Sequence, residues 1–156
     1  MMAKRPKVGE PARKFVLDDQ NGKAFDLSKF SGKKVLLSFH PLAWTPVCAI
    51  QMKSLERNKK VLDSLDTVAV GISVDSIPCK KAWAKSLSIK NTRLLCDFWP
   101  HGKVVQLYGL FLKADGISGR ANVIIDKEQR VALVKIYPLG KVPDMRKIIK
   151  ALRKMP

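Results

Sequence analysis

Cysteine and histidine are scarce in this chain, and their scarcity excludes two classes of protein. The 156 residues include only three cysteines and two histidines. Three cysteines are an odd number, and too few for the paired framework of a small secreted disulfide protein. No Cys-x-x-Cys pair accompanies the histidines, so the usual pattern of a zinc site is missing. We therefore expect the cysteines to serve chemistry rather than cross-linking, with no bound metal.

Long hydrophobic runs are also missing. No apolar stretch approaches the roughly 20 residues that a membrane-spanning helix needs. The opening residues 1–6, MMAKRP, are basic but have neither an apolar run nor a small-residue cleavage site, unlike a signal peptide. Hydrophobic residues make up 46% of the chain, and no repeat or low-complexity stretch divides it. The sequence predicts one domain over residues 1–156, located in the cytoplasm.

Acidic residues are few compared with basic ones. Thirteen Asp and Glu residues face 30 Lys and Arg residues, which gives a formal net charge of +17. Such an excess can attract nucleic acid, an anionic membrane or an acidic partner, or it can simply belong to a lysine-rich solvated surface. The basic residues are spread along the chain, and no zinc finger, phosphate-binding loop or RNA-binding aromatic motif accompanies them. The second interpretation is favoured, so neither a specific nucleic acid nor a membrane is expected as a partner.

Strand and helix patterns alternate along most of the chain. A turn rich in Asp, Asn and Gly, residues 18–22, separates two short apolar segments and predicts an N-terminal β-hairpin. Strands are then predicted over residues 35–39, 67–74, 93–96, 121–126 and 131–136, and helices over residues 46–62, 78–87, 103–108 and 143–154. This order is typical of an α/β protein with a mixed β-sheet flanked by helices. The thioredoxin-like fold is the natural candidate.

The most informative segment is FHPLAWTPVC, residues 39–48, which joins a buried strand to a helix. The strand stops at Pro41 and the helical pattern begins near Pro46, so Cys48 lies in or just before the first helical turn. Free backbone N–H groups and the positive end of the helix dipole favour a thiolate there. Thr45 can place a hydroxyl group beside the sulfur. An inert buried thiol is the alternative, and the spacing of Pro41, Thr45 and Cys48 argues against it.

The spacing Pro-x-x-x-Thr-x-x-Cys is the active-site signature of the peroxiredoxins, and the chain resembles that family, which includes alkyl hydroperoxide reductase and thiol-specific antioxidant. Arg120 precedes a strand ending in Ile-Asp, where the family has an arginine against its reactive cysteine. The segment DFWPHG, residues 97–102, resembles bacterial branches of the family, including one-cysteine-like members. The chain as a whole resembles the bacterial one-cysteine-like and Q-type branches. The resemblance implies a thioredoxin fold in a homodimer, without metal or organic cofactor.

The same resemblance implies a thiol-dependent peroxidase that reduces hydrogen peroxide and organic hydroperoxides. Cys48 would attack the peroxide and become a sulfenic acid. Thr45 and Arg120 would orient the peroxide and stabilise the leaving oxygen, and Pro41 would shield the sulfur from water. A thioredoxin-like protein or another thiol would supply the electrons.

The chain departs from the family pattern at two positions. Gln51 stands where many members have Glu. Lys53 stands where the Q-type branch often has its second, resolving cysteine, so that short disulfide is excluded. Cys79 is the candidate resolving cysteine, but a Cys48–Cys79 disulfide would require the first turn around Cys48 to unwind. The alternative is a one-cysteine enzyme reduced by an external thiol, and Cys96 is expected to be a core residue.

Two other functions compete with the peroxidase. A thiol–disulfide oxidoreductase of the same fold would have a second cysteine where Gln51 stands. A basic binding protein would have no need for Thr45 and Arg120 beside Cys48. The histidines offer no better alternative, since His40 is expected to pack beside the pocket and His101 to lie in a loop.

Overall fold

The computed structural model describes residues 2–156 and is built around a mixed sheet of five strands. In chain order the elements are β1 (Val16–Asp18), β2 (Ala24–Asp26), a 3₁₀ turn (Leu27–Phe30), β3 (Lys34–Phe39), α1 (Pro46–Arg57), α2 (Lys59–Ser64), β4 (Thr67–Ser73), α3 (Ile77–Ser86), β5 (Arg93–Cys96), α4 (Lys103–Leu107), β6 (Phe111–Leu112), β7 (Ile117–Ser118), β8 (Arg120–Ile125), β9 (Val131–Tyr137) and α5 (Met145–Arg153). The large sheet has the strand order β5-β4-β3-β8-β9. β3, β4 and β5 run parallel, whereas β8 is antiparallel to both of its neighbours.

The central strand β3 is buried along its whole length. Its alternate residues Val35, Leu37 and Phe39 belong to a core cluster with the N-terminal hairpin and α4. Leu36 points to the opposite face and belongs to a second cluster with α1, α3 and α5. The second face becomes polar at one end, where four buried side chains follow the apolar ones: Ser38, His40, Arg120 and Asn122.

The predicted mixed sheet with its N-terminal hairpin is confirmed, but two details of the prediction were wrong. The helix predicted over 46–62 is interrupted at Asn58, whose backbone leaves the helix and whose side chain donates to the Ser54 carbonyl at 2.7 Å. Asn competes for backbone hydrogen bonds in this way, which explains the break. The short hairpin of β6 and β7 was not predicted, because strands of two residues carry no periodic signal.

Within residues 2–156, every helix is too short or too polar to cross a membrane.

Candidate active site

The loop between β3 and α1 lies at the carboxyl edge of the parallel strands. In open α/β sheets this edge is the usual place for a binding site, because loops leave the strands there in different directions. Pro41 begins the loop and is buried. Cys48 is the third residue of α1 and is fully buried.

The first turn of α1 leaves its backbone donors available to the sulfur. Thr45 is the residue before the helix, but its side chain does not cap it. Its hydroxyl donates instead to the Leu42 carbonyl at 2.7 Å. The first helical bond runs from the Ala49 N–H to the Thr45 carbonyl at 3.0 Å, so the N–H of Cys48 precedes the intrahelical ladder. This end of the helix therefore favours negative charge at the Cys48 sulfur.

Arg120 reaches Cys48 from the neighbouring strand. It is the first residue of β8, and the next residue, Ala121, is paired with Phe39 at the end of β3. The Nη1 atom of Arg120 lies 3.4 Å from the Cys48 Sγ. Its Nε and Nη2 atoms both donate to the Leu139 carbonyl, at 3.0 Å and 2.6 Å. The guanidinium is thus aimed at the sulfur by a backbone group after β9.

Gln51 holds Arg120 from the other side. Its Oε1 accepts from Arg120 Nη1 at 2.7 Å, and its Nε2 donates to Ser38 Oγ at 2.8 Å and to the Phe39 carbonyl at 3.1 Å. All these groups are buried. Because Gln51 is an amide and not a carboxylate, it does not neutralise the positive charge of the Arg120 guanidinium.

Comparison with known proteins agrees with this geometry. The model of the AhpC/TSA family matches residues 8–134, which is more than half of the chain. The chain belongs to this family of peroxiredoxins. Alkyl hydroperoxide reductase E of Mycobacterium tuberculosis is 36% identical over 140 residues, 89% of this chain and 91% of that protein. A Haemophilus influenzae protein described as a peroxiredoxin is 40% identical over 149 residues, 91% of this chain and 92% of that protein.

The solved structures confirm the predicted fold of this peroxiredoxin. The crystal structure of Enterococcus faecalis AhpC superimposes with a TM-score of 0.86 at 20% identity, covering 95% of this chain and 91% of that chain. At that identity the likeness is evidence for the fold alone.

The peroxiredoxin loop has an anchor that the sequence analysis missed. Asp75 follows β4 and accepts from the Ala43 N–H at 2.9 Å and from the Ser73 hydroxyl at 2.5 Å, both at Oδ2. Next to Ala43, Trp44 has a φ of 65°, which is strained for a large side chain. Asp75 therefore fixes a bend just before Thr45. The next residue, Ser76, caps α3 by accepting from the Cys79 N–H.

The other two cysteines lie in different surroundings. Cys79 is half-buried at the start of α3, and its Sγ lies 3.7 Å from Asp75 Oδ1. Burial and then the Asp75 charge raise the pKa of the Cys79 thiol. Cys96 is buried at the end of β5, where burial raises its thiol pKa to about 12. Both side chains therefore stay neutral thiols at neutral pH. Of the three cysteines, Cys48 is the one whose sulfur contacts the Arg120 guanidinium.

His40 does more than fill space beside the loop. It is fully buried, and its Nε2 lies 2.6 Å from the Nζ of Lys80. Burial and the Lys80 charge hold the pKa of His40 well below its usual value, so the ring is neutral. His101 lies in an exposed turn, with Nε2 2.6 Å from the Gly116 carbonyl.

Proposed function

We propose that this peroxiredoxin reduces hydrogen peroxide and organic hydroperoxides with Cys48 as the reacting thiolate. The observation that supports the proposal most directly is the Arg120 guanidinium 3.4 Å from a sulfur at a helix N-terminus. Two independent positive groups thus act on one buried thiol, and both favour its ionised, nucleophilic form.

In the proposed reaction the Cys48 thiolate attacks one peroxide oxygen. A sulfur–oxygen bond forms, the O–O bond breaks, and the leaving oxygen takes the electron pair and a proton to become water or an alcohol. Cys48 is oxidised by two electrons to a sulfenic acid. Arg120 and the Cys48 N–H would stabilise the charge on the departing oxygen. Thr45 already donates its hydroxyl hydrogen to Leu42, which leaves its oxygen free to accept from the peroxide O–H.

Pro41 would complete the site by excluding water. It is buried between the end of β3 and the loop that leads to Cys48. A dry site strengthens the attraction between Arg120 and the thiolate, since little solvent screens the charges.

Two routes would return Cys48 to the thiol. In the first, Cys79 attacks the sulfenic acid, water leaves, and a Cys48–Cys79 disulfide is then reduced by a thioredoxin-like protein. In the second, an external thiol attacks the Cys48 sulfenic acid, water leaves, and a second external thiol reduces the mixed disulfide to regenerate Cys48. The raised pKa of Cys79 favours the second route, because the thiolate is the attacking species.

We also propose a homodimer in the cytoplasm. Free thiols suit a reducing compartment such as the cytoplasm.

The exposed aromatic side chains Trp44, Phe98 and Trp99 offer apolar surface for a second copy, with Trp99 82% exposed. Sedimentation of the native protein tests the dimer: a single species with the mass of one chain at micromolar concentration would contradict it.

The intact mass of the reduced protein after one equivalent of hydrogen peroxide tests the chemistry. Loss of two hydrogens, absent from Cys48→Ser and Cys79→Ser, would establish the Cys79 route. One added oxygen that requires Cys48 would establish the external route. Cys96→Ser is the matched control and should behave as the wild type. A Cys48 that stays unmodified while peroxide persists would refute the peroxidase.

A further inference from the structure

Lys80 is a lysine with no exposed surface, in the second turn of α3. Its Nζ lies 2.6 Å from His40 Nε2 and 5.3 Å from the centre of the Trp83 ring. Among residues 2–156, none of the ion pairs includes Lys80 or Arg120. A buried ammonium without a paired carboxylate is costly, so its retention calls for a reason.

The hydrogen bonds of His40 define where the charge lies. His40 Nδ1 is 3.4 Å from the Ser38 carbonyl, which can only accept, so Nδ1 carries the hydrogen. Nε2 is then the acceptor, and the Lys80 ammonium donates to it. The positive charge therefore stays on the lysine, and the imidazole remains neutral.

The same network continues to the reactive sulfur. Ser38, whose carbonyl faces His40, accepts from Gln51 through its hydroxyl, and Gln51 accepts from Arg120, which contacts Cys48. These polar groups line one face of the sheet, which is otherwise apolar. Lys80 and Cys48 thus belong to one buried cluster.

Few of the titratable groups around Lys80 can carry a negative charge. The titratable groups that act on Lys80 or on its partner His40 come from every element around them: Cys48 of α1, Asp75 after β4, Cys79 of α3, Cys96 of β5 and Arg120 of β8. Lys80 and Arg120 are the cations, and Asp75 is the single carboxylate. Cys79 and Cys96 have raised pKa values and remain neutral thiols. A thiolate at Cys48, the form that the proposed function requires, would add a second negative charge to this cluster.

We propose that Lys80 is a positioning residue of the active site, whose buried ammonium group, held by His40, keeps Cys48 in the thiolate form together with Arg120. The inference rests on the proposed function, in which the Cys48 thiolate attacks the peroxide. It also explains why the Lys80 charge is kept inside the protein. Because linkage is reciprocal, a thiolate that favours the charged lysine is itself favoured by that lysine to the same extent.

Thiolate absorbance at 240 nm tests the proposal in the full-length protein. Cys79→Ser and Cys96→Ser in the background leave Cys48 as the one reporting thiol. Lys80→Met should lower the thiolate fraction near pH 6 roughly tenfold, the lower end of what a nearby charge produces. The rate with hydrogen peroxide should fall in parallel near pH 6. The difference from the wild type should shrink near pH 9, above the Lys80 pKa of about 8, because the wild-type lysine has then lost most of its charge.

Two further variants separate charge from shape. Lys80→Gln retains a donor for His40 without the charge, and it should lose thiolate as Lys80→Met does. Lys34→Met removes another buried lysine, which donates to the Leu152 carbonyl at 3.3 Å, and it should leave the titration unchanged. A Lys80→Gln variant with the wild-type titration would overturn the proposal, since the hydrogen bond would then suffice.

A reciprocal measurement follows the titration of Lys80 in the presence and absence of Cys48. It requires no substitution of Lys80, so the folding of a Lys80 variant does not affect it. Nitrogen NMR of labelled lysine can follow the Nζ titration of Lys80, whose pKa burial lowers to about 8. Replacing Cys48 by Ser should lower this pKa further, because the thiolate is lost. An unchanged Lys80 titration would end the proposal. A peroxide reaction that persists in Cys48→Ser would instead end the proposed function.

Discussion

Replacing Arg120 by Met removes the guanidinium while a flexible apolar chain fills much of the space. Two unit charges 3.4 Å apart attract each other by about 5 kcal/mol at an effective dielectric constant of about 20. The guanidinium spreads its charge over three nitrogens and also donates to Leu139, so the net loss should approach that of a charged hydrogen bond, about 1.5–3 kcal/mol. That loss corresponds to a roughly 10- to 150-fold slower reaction with peroxide.

Stopped-flow tryptophan fluorescence measures the second-order rate constant for oxidation of the reduced protein. Arg93→Met is the matched control, because the Arg93 guanidinium also donates to backbone carbonyls, those of Lys23 and Ala24. Arg93 begins β5, and its guanidinium pairs with Asp19 and contacts the β1–β2 hairpin instead of Cys48. It should react at the wild-type rate. An Arg120→Met rate within about threefold of wild type would refute the charge argument, provided that Cys48→Ser is inactive.

Three further predictions concern the loop, the packing beneath it and the buried lysine. Thr45→Val should slow peroxide reduction by roughly 100-fold, the loss expected for one transition-state contact, whereas Thr45→Ser should react at nearly the wild-type rate. Equal stopped-flow rates for Thr45→Val and the wild type would contradict the role of the hydroxyl. Gly71→Ala should lower the free energy of unfolding in urea by about 1–3 kcal/mol, because the new methyl group would collide with the Met52 sulfur and press on His40. An unchanged urea midpoint would contradict this prediction and show that Met52 moves freely. Burial lowers the pKa of Lys80 from 10.5 to about 8, so between these values the unfolded chain binds a proton that the folded protein has released. Relative to Lys80→Met, wild-type stability should therefore rise with pH across this window, by at most about 1.4 kcal/mol per pH unit, and a flat difference in urea unfolding between about pH 8 and about pH 10 would contradict it.

Local sequence was sufficient for the features that depend on neighbours along the chain. The apolar run that ends at Pro41 and the helix that starts at Pro46 place Cys48 in a first helical turn, because strand and helix signals act within a few residues. The family motif then added Arg120, a residue that no local pattern could connect with Cys48. The break at Asn58 was missed because one side-chain hydrogen bond outweighed a helical periodicity that continued past it.

Only the tertiary structure decided what surrounds the sulfur. The pairing of β3 with β8 brings Arg120 to Cys48, and the Leu139 carbonyl aims it. The packing of α3 against the sheet buries Lys80 beside His40, although the sequence shows one more lysine in a lysine-rich helix. A lysine is ordinarily predicted at the surface, since burying its charge costs several kcal/mol. Whether other charges offset that cost depends on distances between strands and helices that are remote in the chain, and only the folded protein sets those distances.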